Sequence, residues 1–282
     1  MAGKFDRCVE DVGNILALEH LNLTVPNHAI ALQFYVSGLG LTRDPYVDFG
    51  VFNFNNMWVN AGDQQFHLPE GKPQRFRGYI GLTVPNLDQL RWRLDHVGKS
   101  LKDTAFGWEV RDDHISVTCP WGNRLRCHAA SPEMSLGIGY LDMHVPPGSG
   151  APLARFYQQV FATPACTTDG TTEVRIGTNQ TLRFIETENE IPAYDGHHIA
   201  IYCANFSAAH DWLETRSLIT EESDQHQYRF QALVDPTNAA VLSELEHEVR
   251  SLKHPQWGRR LVNRNAGQTF MTFHRGREAF VP

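Results

Sequence analysis

Apolar and polar positions alternate over residues 18–25 (Leu-Glu-His-Leu-Asn-Leu-Thr-Val), the period of a strand with one buried face. The spacing then lengthens. Ile30, Leu32, Phe34 and Tyr35 fit the inner face of a helix over residues 29–38, with Gly38 and Gly40 as stop signals. The run Leu23-Thr24-Val25-Pro26-Asn27 returns letter for letter as Leu82-Thr83-Val84-Pro85-Asn86, where it closes a second alternating segment, residues 79–84. A second helical pattern follows over residues 87–97, with Leu90, Trp92, Leu94 and Val97 at core spacing and Gly98 behind it. A repeat of this length points to a modular fold.

Two weaker copies come later. Residues 140–146 place a strand before Val145-Pro146, and a helix near residues 153–161 carries Phe156-Tyr157, an echo of Phe34-Tyr35. Residues 198–203 form another apolar strand, followed by a helical pattern over residues 207–218. Short strands broken by Gly, Asn, Asp or Pro follow each helix. They include residues 52–54, 57–59 and 65–68, then 115–118 and 125–127, then 182–185, and last 228–230 and 241–245. The expectation is an α+β chain of four βαβββ modules over residues 14–72, 76–130, 135–190 and 195–250. Residues 251–282 form a C-terminal extension, locally basic and carrying Trp257, Phe270 and Phe273, expected to pack across the outside.

Four βαβββ modules, a Val-Pro-Asn run after the first strand and a Phe-Tyr pair in the helix resemble the vicinal oxygen chelate superfamily. The segments HLNLTVPN and YIGLTVPN carry most of that resemblance, which spans about residues 15–250. Glyoxalase I, methylmalonyl-CoA epimerase, extradiol dioxygenases and bleomycin-resistance proteins belong to the group. The resemblance implies half-barrels that pair around one metal ion, each module offering one position on its first strand and one on its last.

Transferred by offset, the first-strand positions are His20, Tyr79, Tyr140 and His198, and the last-strand positions are His67, Arg126, Arg183 and Glu244. The two members of each pair stand 47, 47, 43 and 46 residues apart. Glu244 needs a two-residue shift from the alignment on Pro120 and Pro236, and Glu246 on the same strand face is the alternative. Modules one and four thus carry His20, His67, His198 and Glu244, donors that suit Zn, Fe, Mn, Ni or Co. Modules two and three carry two phenols and two guanidiniums, which offer a cation no free lone pair of the needed kind. A complete metal site therefore requires module one to pair with module four, and module two with module three. The second cavity is then metal-free, a scaffold or an anion site on Arg126 and Arg183. His197 would face away from His198, and His144 falls at the barrel rim. His114, His128, His210, His226, His247, His254 and His274 read as surface or tail residues.

Charge narrows the partners. Net charge is −7, from 25 basic and 32 acidic side chains, the wrong sign for a phosphate-backbone binder. No apolar run approaches the ~18 residues of a membrane span. Charges interrupt residues 1–14, and the five cysteines lack any CxxC spacing, so reduced thiols and a cytoplasmic location are expected. The expected partner is a small-molecule substrate, with no nucleic acid and no membrane; a homodimer is compatible with the chain.

The resemblance implies a divalent metal that chelates two adjacent substrate oxygens. With four protein ligands the chemistry is glyoxalase- or epimerase-like proton transfer, a lyase or isomerase in which Glu244 doubles as general base. With three ligands, His20, His198 and Glu244 would hold Fe(II) in an extradiol-type dioxygenase, His67 would move protons and Tyr228 would assist. A metal-free binding protein of the bleomycin-resistance kind is the third alternative.

Overall fold

Asn27, Asn86 and Asn205 each stand immediately before a helix. Each side-chain carbonyl accepts the backbone N–H three residues on, from Ile30 (3.0 Å), Gln89 (2.9 Å) and Ala208 (3.4 Å). The repeated asparagine is therefore a helix N-cap, and Pro26 and Pro85 before the first two cannot extend the strands that lead into them. In the third module Glu186 takes over, its Oε1 accepting the Gly150 N–H at 2.7 Å.

The computed structural model describes residues 5–44, 56–131 and 134–259. The strand expected over residues 52–54 and the extension beyond residue 259, with His274, lie outside them. The first module comprises β1 (Ile15–Asn22), α1 (His28–Ala31, continued by a π-wound stretch, Leu32–Gly38), β2 (Thr42–Arg43), β3 (Asn56–Ala61) and β4 (Gln64–Pro69). The second comprises β5 (Gly78–Val84), α2 (Leu87–Leu101), β6 (Gly107–Val110), β7 (Ile115–Thr118) and β8 (Arg124–Ala129). The third comprises β9 (Gly137–Val145), α3 (Gly150–Phe161), β10 (Ala165–Thr168), β11 (Thr171–Gly177) and β12 (Gln180–Glu186). The fourth comprises β13 (His198–Cys203), α4 (Phe206–Glu214), β14 (Ile219–Asp224), β15 (Gln227–Val234) and β16 (Val241–Ser251).

The strands form two eight-stranded sheets. One runs β14-β15-β16-β13-β1-β4-β3-β2, the other β10-β11-β12-β9-β5-β8-β7-β6. Antiparallel contacts between β1 and β13, and between β5 and β9, join the halves. Module one is therefore continuous with module four, and module two with module three, as the ligand chemistry requires. Phe34-Tyr35 and Phe156-Tyr157 are buried beneath the sheets. All five cysteines are unpaired. Among the described residues no helix is long and apolar enough to cross a membrane.

Three apolar or polar assignments differ from the sequence pattern. Trp92 is 65% exposed and Leu32 39%. Leu90, Leu94, Val97 and Leu101 form the buried stripe of α2, and a residue two places after Leu90 lies about 200° round the helix. His247, expected at the surface, is fully buried: its ring stacks on Phe230 (4.6 Å between centroids) and shares a 2.8 Å hydrogen bond with the Tyr157 hydroxyl.

The sheets meet where Gln180 of β12 reaches β1. Its Oε1 accepts the Leu18 N–H at 3.0 Å, and its amide donates to the Leu18 carbonyl at 3.3 Å. Both groups are buried. Gln180→Ala is expected to destabilise the protein by about 1–3 kcal/mol, the cost of leaving such groups unmet. A thermal melt checks this; an unchanged midpoint contradicts it.

Candidate metal centre

Register decides which side chains share a face. In the first sheet Asn22 is paired with both His67 and His198, and His198 with Glu246. The neighbouring row pairs His20 with Gln65 and Ala200, and Ala200 with Glu248. Just before His20, β1 carries an irregularity, because Leu18 opposes Ile201 while His20 opposes Ala200. The extra residue is Glu19, which reaches His20 and Arg250.

One donor atom from each of His20, His67 and His198 lies within 4.8 Å of each of the others. These three expected ligands are therefore brought together. Carboxylates stand behind two of the rings: Glu19 Oε2 is 3.1 Å from His20 Nδ1, and Glu246 Oε1 is 3.4 Å from His198 Nδ1. The Nε2 atoms of both rings are buried without a hydrogen-bond partner. His67 has neither nitrogen partnered, and its ring stacks on Trp58 at 3.9 Å and 10°.

Glu244 is not part of this cluster. Its carboxylate accepts from the Gln231 amide at 2.7 Å, and its carbonyl accepts from Arg77. The carboxylate facing the imidazoles is that of Glu248, whose Oε2 is 3.7 Å from His198 Nε2. Strand register explains the difference. His67 stands two residues past the partner of His20, Arg183 two past the partner of Tyr140, and Glu248 two past the partner of His198. The hairpin of β15 and β16 is longer than those before it, eight and eleven residues against four and six in β7 and β8. Counting from Pro236 therefore stops short. The expected alternative, Glu246, lies behind His198.

Tyr228 is also absent from the cluster. It pairs with Val249, on the face opposite Glu248, and its ring packs 4.9 Å from both Phe206 and His210. His197 points away as expected, with Nδ1 2.7 Å from Asp195. His144 stands beside Tyr79, with ring centroids 6.0 Å apart.

The residues that sequence reasoning missed are the charged ones behind the rings. Arg229 binds Glu246 at 2.8 Å and also Glu248; Arg250 binds Glu248 and Glu19. With Glu221 also 3.7 Å from Arg229, carboxylates outnumber the two guanidiniums beside the imidazoles. Burial works against ionisation of Glu19, but Arg250 and His20 outweigh it and hold the carboxyl far below the usual range. Glu248 is likewise lowered, burial being outweighed by Arg250, His20 and Arg229. Burial, with His20 nearby, pushes His67 and His198 well below the usual imidazole value, so both are neutral. Converging imidazole donors, with the Nε2 atoms of His20 and His198 and both nitrogens of His67 left without partners and a held carboxylate beside His198, fit a divalent transition metal ion.

The described part of the extension packs on this barrel. Trp257 packs edge-on against Tyr202 (4.7 Å between centroids), and Arg259 forms a buried ion pair with Asp44 at 2.7 Å. In the second sheet Tyr79, Arg126, Tyr140 and Arg183 occupy the equivalent positions. There Arg126 and Arg183 both bind Asp142.

No protein-family model matches the chain, and no curated protein matches it. Solved structures do. Glyoxalase I from Zea mays is similar with a TM-score of 0.58 at 13% identity, over 83% of this chain and 92% of that one. A candidate dioxygenase from Bacillus subtilis subsp. subtilis str. 168 is similar with a TM-score of 0.54 at 13% identity, over 85% and 86%. The chain shares the fold of these two proteins, the fold that the sequence resemblance implied.

The carboxylates behind the rings yield a test. Glu19→Gln is expected to weaken metal binding about 10–100-fold, as loss of a partner behind a ligand does, whereas Glu244→Gln leaves affinity unchanged. Titration with Zn2+ against a competing chelator measures both; equal effects contradict the assignment.

Proposed function

We propose that the first and fourth modules form the centre of a metal-dependent enzyme. It acts on a small organic molecule with two adjacent oxygens and moves a proton from a C–H beside them, as a lyase or isomerase. One observation carries this reading: donor atoms of His20, His67 and His198, from the equivalent positions of the two modules, lie within 4.8 Å of one another, with the Glu248 carboxylate 3.7 Å from His198. A divalent ion held by His20, His67, His198 and Glu248 would supply Lewis acidity toward both substrate oxygens. Glu19 and Glu246 fix the ring orientations of His20 and His198. Arg229 and Arg250 keep Glu248 ionised, so it takes the role of proton acceptor that the sequence assigned to Glu244.

A second reading has its own observation. His20 and His198 each have an acid behind them, and His67 has none. Metal-bound histidines usually carry such a partner. In this reading His20, His198 and Glu248 are the facial set of a non-haem Fe(II) dioxygenase, and His67 moves the proton.

His67→Ala separates the two. Loss of metal from the purified variant marks His67 as a ligand and supports proton transfer. Retained metal with activity down by about 10²–10⁴-fold marks it as an acid–base group. Incorporation of solvent deuterium into α-hydroxy ketones tests the first reaction, and oxygen uptake on a catechol panel the second. Neither activity in metal-replete protein overturns both.

Acidification gives a further test. The ligand imidazoles bind only when neutral, and the buried rings protonate below the free value of about 6.5. Metal is expected to stay bound at about pH 6.5 and to be released only at lower pH. Elemental analysis after dialysis across a pH series reads this; release already above about pH 6.5 contradicts it.

A further inference from the structure

The second sheet encloses a cavity of about 1240 Å³. At the places where the first sheet presents metal donors, this cavity presents Arg126 and Arg183. Each guanidinium lies over a tyrosine ring, Arg126 above Tyr79 at 3.9 Å and Arg183 above Tyr140 at 4.0 Å. Both converge on buried Asp142. Arg126 donates one N–H to Oδ2 at 2.9 Å, and Arg183 donates two, to Oδ1 at 2.6 Å and Oδ2 at 2.9 Å. The tyrosine faces and the shared carboxylate lock both side chains in place, so little ordering entropy is lost when a ligand arrives.

We propose that this cavity binds a small organic monocarboxylate, independently of the metal centre. Arg126 and Arg183 share one carboxylate, Asp142, and Glu173 stands opposite Arg183 on the neighbouring strand, so the floor favours a monoanion over a more highly charged ligand. A guanidinium has five N–H donors, and Asp142 engages one on Arg126 and two on Arg183. Arg126 also hydrogen-bonds the Tyr140 side chain, and the N–H groups that remain on the two guanidiniums can meet a planar carboxylate, whose oxygens suit the fork geometry of arginine. A dianion would crowd a second negative charge against Asp142. The floor is reachable, since the Arg126 and Arg183 side chains are 32% and 27% exposed. The volume exceeds the ~300–1,000 Å³ of ordinary small-molecule pockets, so the carboxylate can carry an organic body. His128, whose Nε2 shares a 2.8 Å hydrogen bond with the Tyr140 hydroxyl, offers a polar wall beside it.

Isothermal titration calorimetry on the full-length protein tests this with benzoate, its neutral isostere benzamide, and inorganic phosphate. Benzoate is expected to bind at least about tenfold more tightly than benzamide. Stripping the metal with a chelator leaves that binding unchanged, and Arg183→Gln removes it. Asp142→Asn raises the floor charge by one, and is expected to tighten benzoate and to shift preference toward phosphate, a gain that misfolding cannot imitate. Equal binding of benzoate and benzamide overturns the proposal. So does benzoate binding that survives Arg183→Gln, disappears with the metal, or fails to strengthen in Asp142→Asn.

Discussion

The antiparallel contact of β1 with β13 is the constraint on which the site depends. It joins strands that are far apart in sequence and sets His20 beside Ala200 and Asn22 beside His198. Without it the imidazoles belong to separate half-barrels. The irregularity at Glu19 does a second job, since the inserted residue brings a carboxylate to the back of His20 without turning His20 away from the cavity. Gln180 secures the neighbouring Leu18 from the other sheet, so the local geometry of the centre is tied to the packing of the two barrels.

The same scaffold has been given opposite electrostatics in its two cavities. In the first, carboxylates outnumber the guanidiniums that brace them, and imidazole rings stand in front. In the second, guanidiniums occupy the donor positions and outnumber their single carboxylate. Buried charges are stabilising only when paired. Both cavities obey that rule with ladders of alternating sign, carboxylates leading in one and guanidiniums in the other. One cavity therefore suits a cation and the other an anion, although their backbones are alike.

Much of this was legible in the residues. The exact return of Leu-Thr-Val-Pro-Asn exposed the module, because each copy must end a strand and cap a helix. The split between His-bearing and Arg-bearing modules gave the non-sequential pairing, because a guanidinium cannot serve a cation. Glu248 was not legible: the length of the β15–β16 hairpin is set by its packing, with Arg77 on its strand and Arg155 on Asp235 near its turn, and no local signal marks it. Nor were Arg229, Arg250 and Glu19, which meet only through sheet register and a bulge. His247 looked like a surface residue because its burial depends on Phe230 and Tyr157, from two different modules.

Anomalous diffraction from crystals of the metal-loaded protein tests the central claim most directly. One peak is expected, about 2.0–2.2 Å from nitrogen atoms of His20 and His198 and from a carboxylate oxygen of Glu248. A fully occupied peak elsewhere, or none between these side chains, would contradict the account.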